Sequence, residues 1–184
     1  MDRSTIDKLI SGTGLVMAIV LLATAGGLLW AHNFIHAQVH DQLAAQKINF
    51  PVAGTAALTS LPADDQAKVS QYAGQQLVTG AQAEVFADHY IAVHLREIGG
   101  GQTYSQLSTQ SLAKPTDQKL AAEVQTMFRG ETLRGLLLNA YAFDTMALVA
   151  KYAAAGALAG SVVLFILAVL GFRHAGVAKR KRSR

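Results

Sequence analysis

The sequence predicts an all-α protein: two transmembrane helices extended as antiparallel stalks, bracketing a small helical extracytoplasmic domain. Two uncharged apolar runs lie at opposite ends of the chain, one between Lys8 and Asp41 and the other between Lys151 and Arg173. Between them, apolar residues recur at spacings of three and four, and strand-like alternation is scarce. At 1.5 Å per helical residue, Tyr152 to Phe172 covers about 31 Å, which matches a hydrocarbon core of about 30 Å.

From the N-terminus, residues 1–9 form a short cytoplasmic segment in which Ser4-Thr5-Ile6-Asp7 reads as a capping box. The first span is placed at 10–32, with Trp30 as an interfacial aromatic anchor. Ile35, Val39 and Leu43 continue at four-residue steps with no Gly or Pro before Pro51, so the helix is expected to rise from the membrane as a stalk to about Ile48. A competing reading is a cleaved signal peptide, since Leu15 to Leu22 is followed by Ala23-Thr24-Ala25. Against it stand an n-region without net positive charge and apolar character that persists through Leu28-Leu29-Trp30.

The extramembrane domain is placed at 33–150. Asn49 to Gly54 is a turn or short extended piece, because proline disfavours helical geometry at the residue before it. Asp64 and Asp65 open a helix expected over Gln66 to Val78 and ended by Thr79-Gly80. The next runs from Ala83 to Ile98 and stops at Gly99-Gly100-Gly101. Thr103 to Gln106 caps a short helix reaching about Leu112, and Lys114-Pro115-Thr116-Asp117 breaks and restarts the chain. Leu120, Val124, Met127 and Phe128 give the following helix an apolar face that ends near Gly130. From Glu131, the leucine-rich sequence leads into the second span at 151–172, with Tyr152 as its anchor.

Within that span, Gly156 and Gly160 form a small-xxx-small motif, which admits close backbone approach where lipid supplies no hydrophobic drive between helices. Contact with Ala23 and Gly27 of the first span is the economical partner, and association with a second copy is the alternative. Residues 173–184 are a basic tail. It holds Arg173, Lys179, Arg180, Lys181, Arg182 and Arg184, six of the sixteen Lys and Arg residues. Between Asn33 and Ala150 there are seven Lys or Arg against ten Asp or Glu. Loop bias in basic residues therefore keeps the tail in the cytoplasm, and two spans put the N-terminus there too, in a plasma membrane with 33–150 outside. A short basic tail tied to a span meets anionic lipid, at about 1 kcal/mol per residue, so no nucleic acid is expected.

Candidate sites are few. His32, His36 and His40 recur every four residues and form one stripe, a spacing at which two imidazoles can share a metal; at a membrane boundary the same stripe serves as an interfacial face. On the helix 83–98, His89 and His94 stand about 140° apart, too far to share a ligand, while Glu84, Asp88 and Arg96 are expected on a solvated face. Arg129 to Tyr141 combines charges, two glycines and a leucine run. Arg129, Glu131, Arg134, Gly135 and Asn139 form either a packing face or a partner-docking face, with Glu131 and Arg134 paired and Gly135 admitting a close neighbour. Cysteine is absent, which removes thiol chemistry and disulfides. No catalytic or nucleotide-binding fingerprint occurs, no cofactor is implied, and no enzymatic activity is expected.

At Gln46-Lys47-Ile48-Asn49-Phe50-Pro51, Gly100-Gly101-Gln102-Thr103-Tyr104 and Gly130 to Tyr141 (GETLRGLLLNAY), the chain resembles a group of actinobacterial two-span membrane proteins of uncharacterised function. The resemblance implies the order of spans and domain, and brings no mechanism. The function expected is that of a non-enzymatic partner-binding or assembly protein, its partners the bilayer and another membrane protein or itself. The alternative is an extracytoplasmic sensor of a ligand or metal that signals through the membrane-proximal helices.

Overall fold

The computed structural model describes residues 3–182, with side chains for 5–177. It is 83% helix and contains no strand among the described residues. The elements are α1 (Arg3–Gln46), α2 (Ala56–Thr59), α3 (Ala63–Ser70), α4 (Gly80–Phe86), a π-helical turn (Ala87–Ile91), α5 (Ala92–Ile98), α6 (Tyr104–Ala113) and α7 (Gln118–Arg182). Stretches of α1 and α7, Thr5–Gln46 and Gln118–Val177, are long and apolar enough to cross a membrane. The Ser4 cap and the charges Lys179 to Arg182 lie outside the described side chains, and Arg184 lies outside the described residues.

The chain divides into two compact units: a terminal unit of Met1–Phe34 with Met146–Arg184, and a central unit of Ile35–Thr145. In the terminal unit the buried residues are small. Ser11, Ala18 and Ala25 on α1, and Ala147, Ala154, Ser161, Ala168 and Ala175 on α7, are all buried, each series stepping by seven residues. A strict seven-residue step keeps one seam of a helix turned toward a partner. Contacts climb α1 as they descend α7: Gly14 faces Ala168, Ser161 Oγ donates to Ala18 O at 2.8 Å, and Gly160 faces Leu21. A side chain at Gly171 would collide with Ser11 Oγ. Small residues let the backbones approach this closely, and the large ones, such as Ile10, Ile19, Trp30, Val163 and Phe165, point outward.

The packing falls elsewhere than the expected motif. Ala23, Gly27 and Gly156 are exposed, nothing lies within 4 Å of a Cβ built at Gly27 or Gly156, and of the three glycines only Gly160 meets the opposite helix. The reason is phase: the seam follows Ala18 and Ala25 on one side and Ala154 and Ser161 on the other.

The central unit is held by large side chains. Phe50, Leu77, Met127, Leu137 and Val69 are its largest fully buried side chains. Tyr72, Phe50, Phe86, Tyr90 and His94 form a continuous run of ring contacts with centroids 5.3, 5.2, 4.8 and 4.5 Å apart. Lys47, at φ +53°, ends α1, after which Phe50 N–H donates to Gln75 O and Leu77 N–H to Ile48 O, both at 2.9 Å. This pairing overrides the helix expected over Gln66 to Val78. The observed α3 stops at Ser70, and the chain turns through Gly74, at φ +72°, to run beside Phe50.

Thr79 starts a helix instead of ending one, since its hydroxyl accepts from Gln82 N–H while the Gln82 side chain accepts from Thr79 N–H. Thr103 and Gln106 form the same box at α6, as expected from the sequence. Asp117 Oδ1 accepts from Leu120 N–H at 3.0 Å and opens α7. The helix α7 then passes through Gly130 without a break, although an end was expected there.

Candidate functional site

Of the charged residues expected on one solvated face of the helix over 83–98, Arg96 is exposed, whereas Glu84 and Asp88 are half-buried. The π-helical turn shifts the phase of α4 relative to α5, and the whole stretch lies largely buried, with Val85, Phe86, Ala87, Ile91, Val93 and Leu95 in the core. Asp88 is thereby turned onto α7. Its Oδ1 accepts from Arg134 Nη2 at 2.7 Å and from Nε at 3.2 Å, and Arg134 Nη1 reaches Glu131 at a longer 3.5 Å. The hydrogen bond to Asp88 raises the Arg134 pKa above its ordinary value, with burial opposing and the Asp88 and Glu131 charges adding to it. The guanidinium is a fixed charge. On the same helix His89 donates Nδ1–H to Asp65 at 2.7 Å, and His94 donates to Tyr90 O at 2.8 Å.

The five residues singled out on α7 part company. Glu131 and Arg134 are half-buried, Arg134 against Asp88, whereas Arg129, Gly135 and Asn139 are exposed. With these three stand Phe128, Leu136 and Phe143, which are 49%, 58% and 54% exposed. At 100° per residue all six fall within about 120° of the helix circumference. Nothing lies within 4 Å of a Cβ built at Gly135, so the close neighbour expected there is missing. The close approach is at Gly130, where any side chain would collide with Leu95.

That approach shapes a cavity of about 210 Å³ in the central unit, walled by Leu95 and Arg96 of α5, Gly101 and Thr103 of the following turn, and Met127 and Glu131 of α7. Two of the sequence motifs, Gly100 to Tyr104 and Gly130 to Tyr141, both contribute to it.

The histidine stripe is not one site. In the terminal unit His32 donates Nδ1–H to Ala147 O at 2.8 Å. In the central unit His36 Nδ1 meets Asp144 Oδ1 at 2.8 Å, and His40 Nδ1 meets Asp41 Oδ1 at 3.2 Å. Among the described residues no group of three or more His, Asp or Glu side chains is placed to hold a metal ion. Asp144, buried at 8% exposure, also accepts from Gly80 N–H at 3.1 Å, and a side chain at Gly80 would collide with it. Asp144 and Asp65 were not among the sequence candidates, and Arg96 was expected only on a solvated face. Asp144 had a visible signal: it is the one acidic residue after Glu131, set in a leucine-rich run.

No family model matches this chain, and no curated protein or solved structure matches it.

Proposed function

We propose that this chain is a two-span plasma-membrane protein of the actinobacterial group it resembles. In this reading both termini are cytoplasmic, the two stalks run antiparallel, and residues 33–150 stand outside as a non-enzymatic docking domain. Its partner is another membrane protein, with a second copy of the chain as the other occupant. The membrane placement is supported by how little of the two most apolar windows is covered, 11% and 17%, which does not suit core helices of a water-soluble fold. The basic tail supports the orientation.

The observation that carries the docking role is the row of Phe128, Leu136 and Phe143, exposed on the same side of α7 as Arg129, Gly135 and Asn139. Phe128 also touches Tyr104, with ring centroids 5.7 Å apart, so Leu136 and Phe143 are the part of this face most clearly available for a contact. Asn139 at its middle gives that contact a polar register point. A photo-cross-linking residue at position 139, followed by recovery from native membranes, tests the role. A discrete protein adduct that disappears in Leu136→Asp is expected; an adduct that survives Leu136→Asp, or none at all, contradicts the reading.

A further inference from the structure

We propose that the cavity between α5, the triple-glycine turn and α7 binds a small zwitterion carrying both a carboxylate and an ammonium group, the chemical class of the free α-amino acids. Its walls are fixed by close contacts. Gly130 allows α7 to lie against Leu95, and Gly99 has no space for a side chain between Gln102 O and Met127 Cε. Gly100 and Gly101, at φ +56° and +80°, hold the turn in the left-handed region that glycine adopts without cost. Within the turn, Thr103 N–H donates to Gln106 Oε1 and Gln102 Oε1 accepts from Gln110 Nε2.

Two opposite charges line this space without joining each other. No hydrogen bond or ion pair ties the Arg96 guanidinium to another described side chain. Glu131 has a single stretched contact at 3.5 Å, because Asp88 takes the Nε and Nη2 donors of Arg134. A guanidinium fork matches a carboxylate at two points, and a carboxylate with spare lone pairs accepts from an ammonium group. A lone anion or a lone cation would contact only one of these two groups, whereas a zwitterion contacts both. The space, about 210 Å³, admits an amino acid as small as glycine, alanine or serine.

The test uses the full chain in lipid nanodiscs, titrated with glycine, L-alanine and L-serine and, as half-ligands, with acetate and ethylammonium. Saturable binding of at least one amino acid is expected, weakened tenfold or more by Arg96→Ala and by Glu131→Gln, with each half-ligand at least tenfold weaker than the zwitterion. Arg96 is exposed, so its replacement leaves the core intact, and an unchanged thermal transition checks this. No saturation by any of the three amino acids, equal binding of the half-ligands, or affinity unaltered in Arg96→Ala would overturn the proposal.

Discussion

In the terminal unit the buried residues are alanine and serine; in the central unit most are phenylalanine, leucine, isoleucine, methionine or valine, with Ala83, Ala87, Gln82 and Asp144 among them. Both units are helical, and the proposed membrane placement accounts for the difference in how they cohere. In lipid, burying a large apolar side chain gains little, because the tails outside are as apolar as the partner helix, and close backbone contact between small residues is what remains. In water, the same large side chains are driven inward, at about 25 cal/mol per Å² of apolar surface. The inversion, small inside and large outside against large inside, is what the proposed membrane placement predicts.

The largest expected effect lies in the central unit. Phe50 is 2% exposed and touches both Tyr72 and Phe86, so Phe50→Ala should destabilise that unit by about 3–5 kcal/mol. Denaturant unfolding of the purified chain followed by near-ultraviolet circular dichroism reads this directly. A loss below about 1 kcal/mol would mean that the ring run does not hold the unit.

Next come two glycines five residues apart on one helix. Gly130→Ala forces a methyl group into buried Leu95 and should cost about 1–3 kcal/mol. Gly135→Ala meets nothing and should stabilise α7 by up to about 1 kcal/mol through helix propensity alone. The opposite signs, measured as shifts in thermal midpoint, are the result to look for; equal signs would remove the packing account of this face.

The smallest effect belongs to the terminal unit. Ser161→Ala deletes the hydrogen bond to Ala18 O but keeps a small residue on the seam, so the loss should be about 0.6 kcal/mol. Ser161→Leu should separate the helices, and a fluorescence-transfer pair on the exposed positions 23 and 156 would report it as a drop in transfer efficiency.

The all-helical class, the two apolar helices and several helix starts were legible because they depend on local chemistry. Thr103 with Gln106 and Asp117 needs only three or four residues to act. Thr79 with Gln82 carried the same signal and was overlooked in favour of the adjacent Gly80. The end of α3 was not legible, because it is decided by Phe50 pairing with Gln75, residues far apart in sequence. Gly130 was mistaken for a helix end for the same reason: its contact with Leu95 depends on where α5 lies. The seam of the terminal unit was legible in principle as a seven-residue repeat of Ser and Ala, but the more familiar glycine spacing at 156 and 160 drew the expectation away from it. At the candidate site, the Glu131 to Arg134 pair could be read from its spacing, whereas Asp88 and Arg96 reached α7 and the cavity only through the π-helical turn and the tertiary packing.

Membrane placement with the central unit outside is tested most directly by residue labelling, and the chain has no cysteine of its own to remove. Leu112, 82% exposed in the central unit, and Ser183 in the basic tail are replaced singly by cysteine, and intact cells are treated with a membrane-impermeant maleimide. Leu112→Cys should label in intact cells and Ser183→Cys only after lysis. Labelling of Ser183→Cys in intact cells, or silence of Leu112→Cys until lysis, would contradict the account.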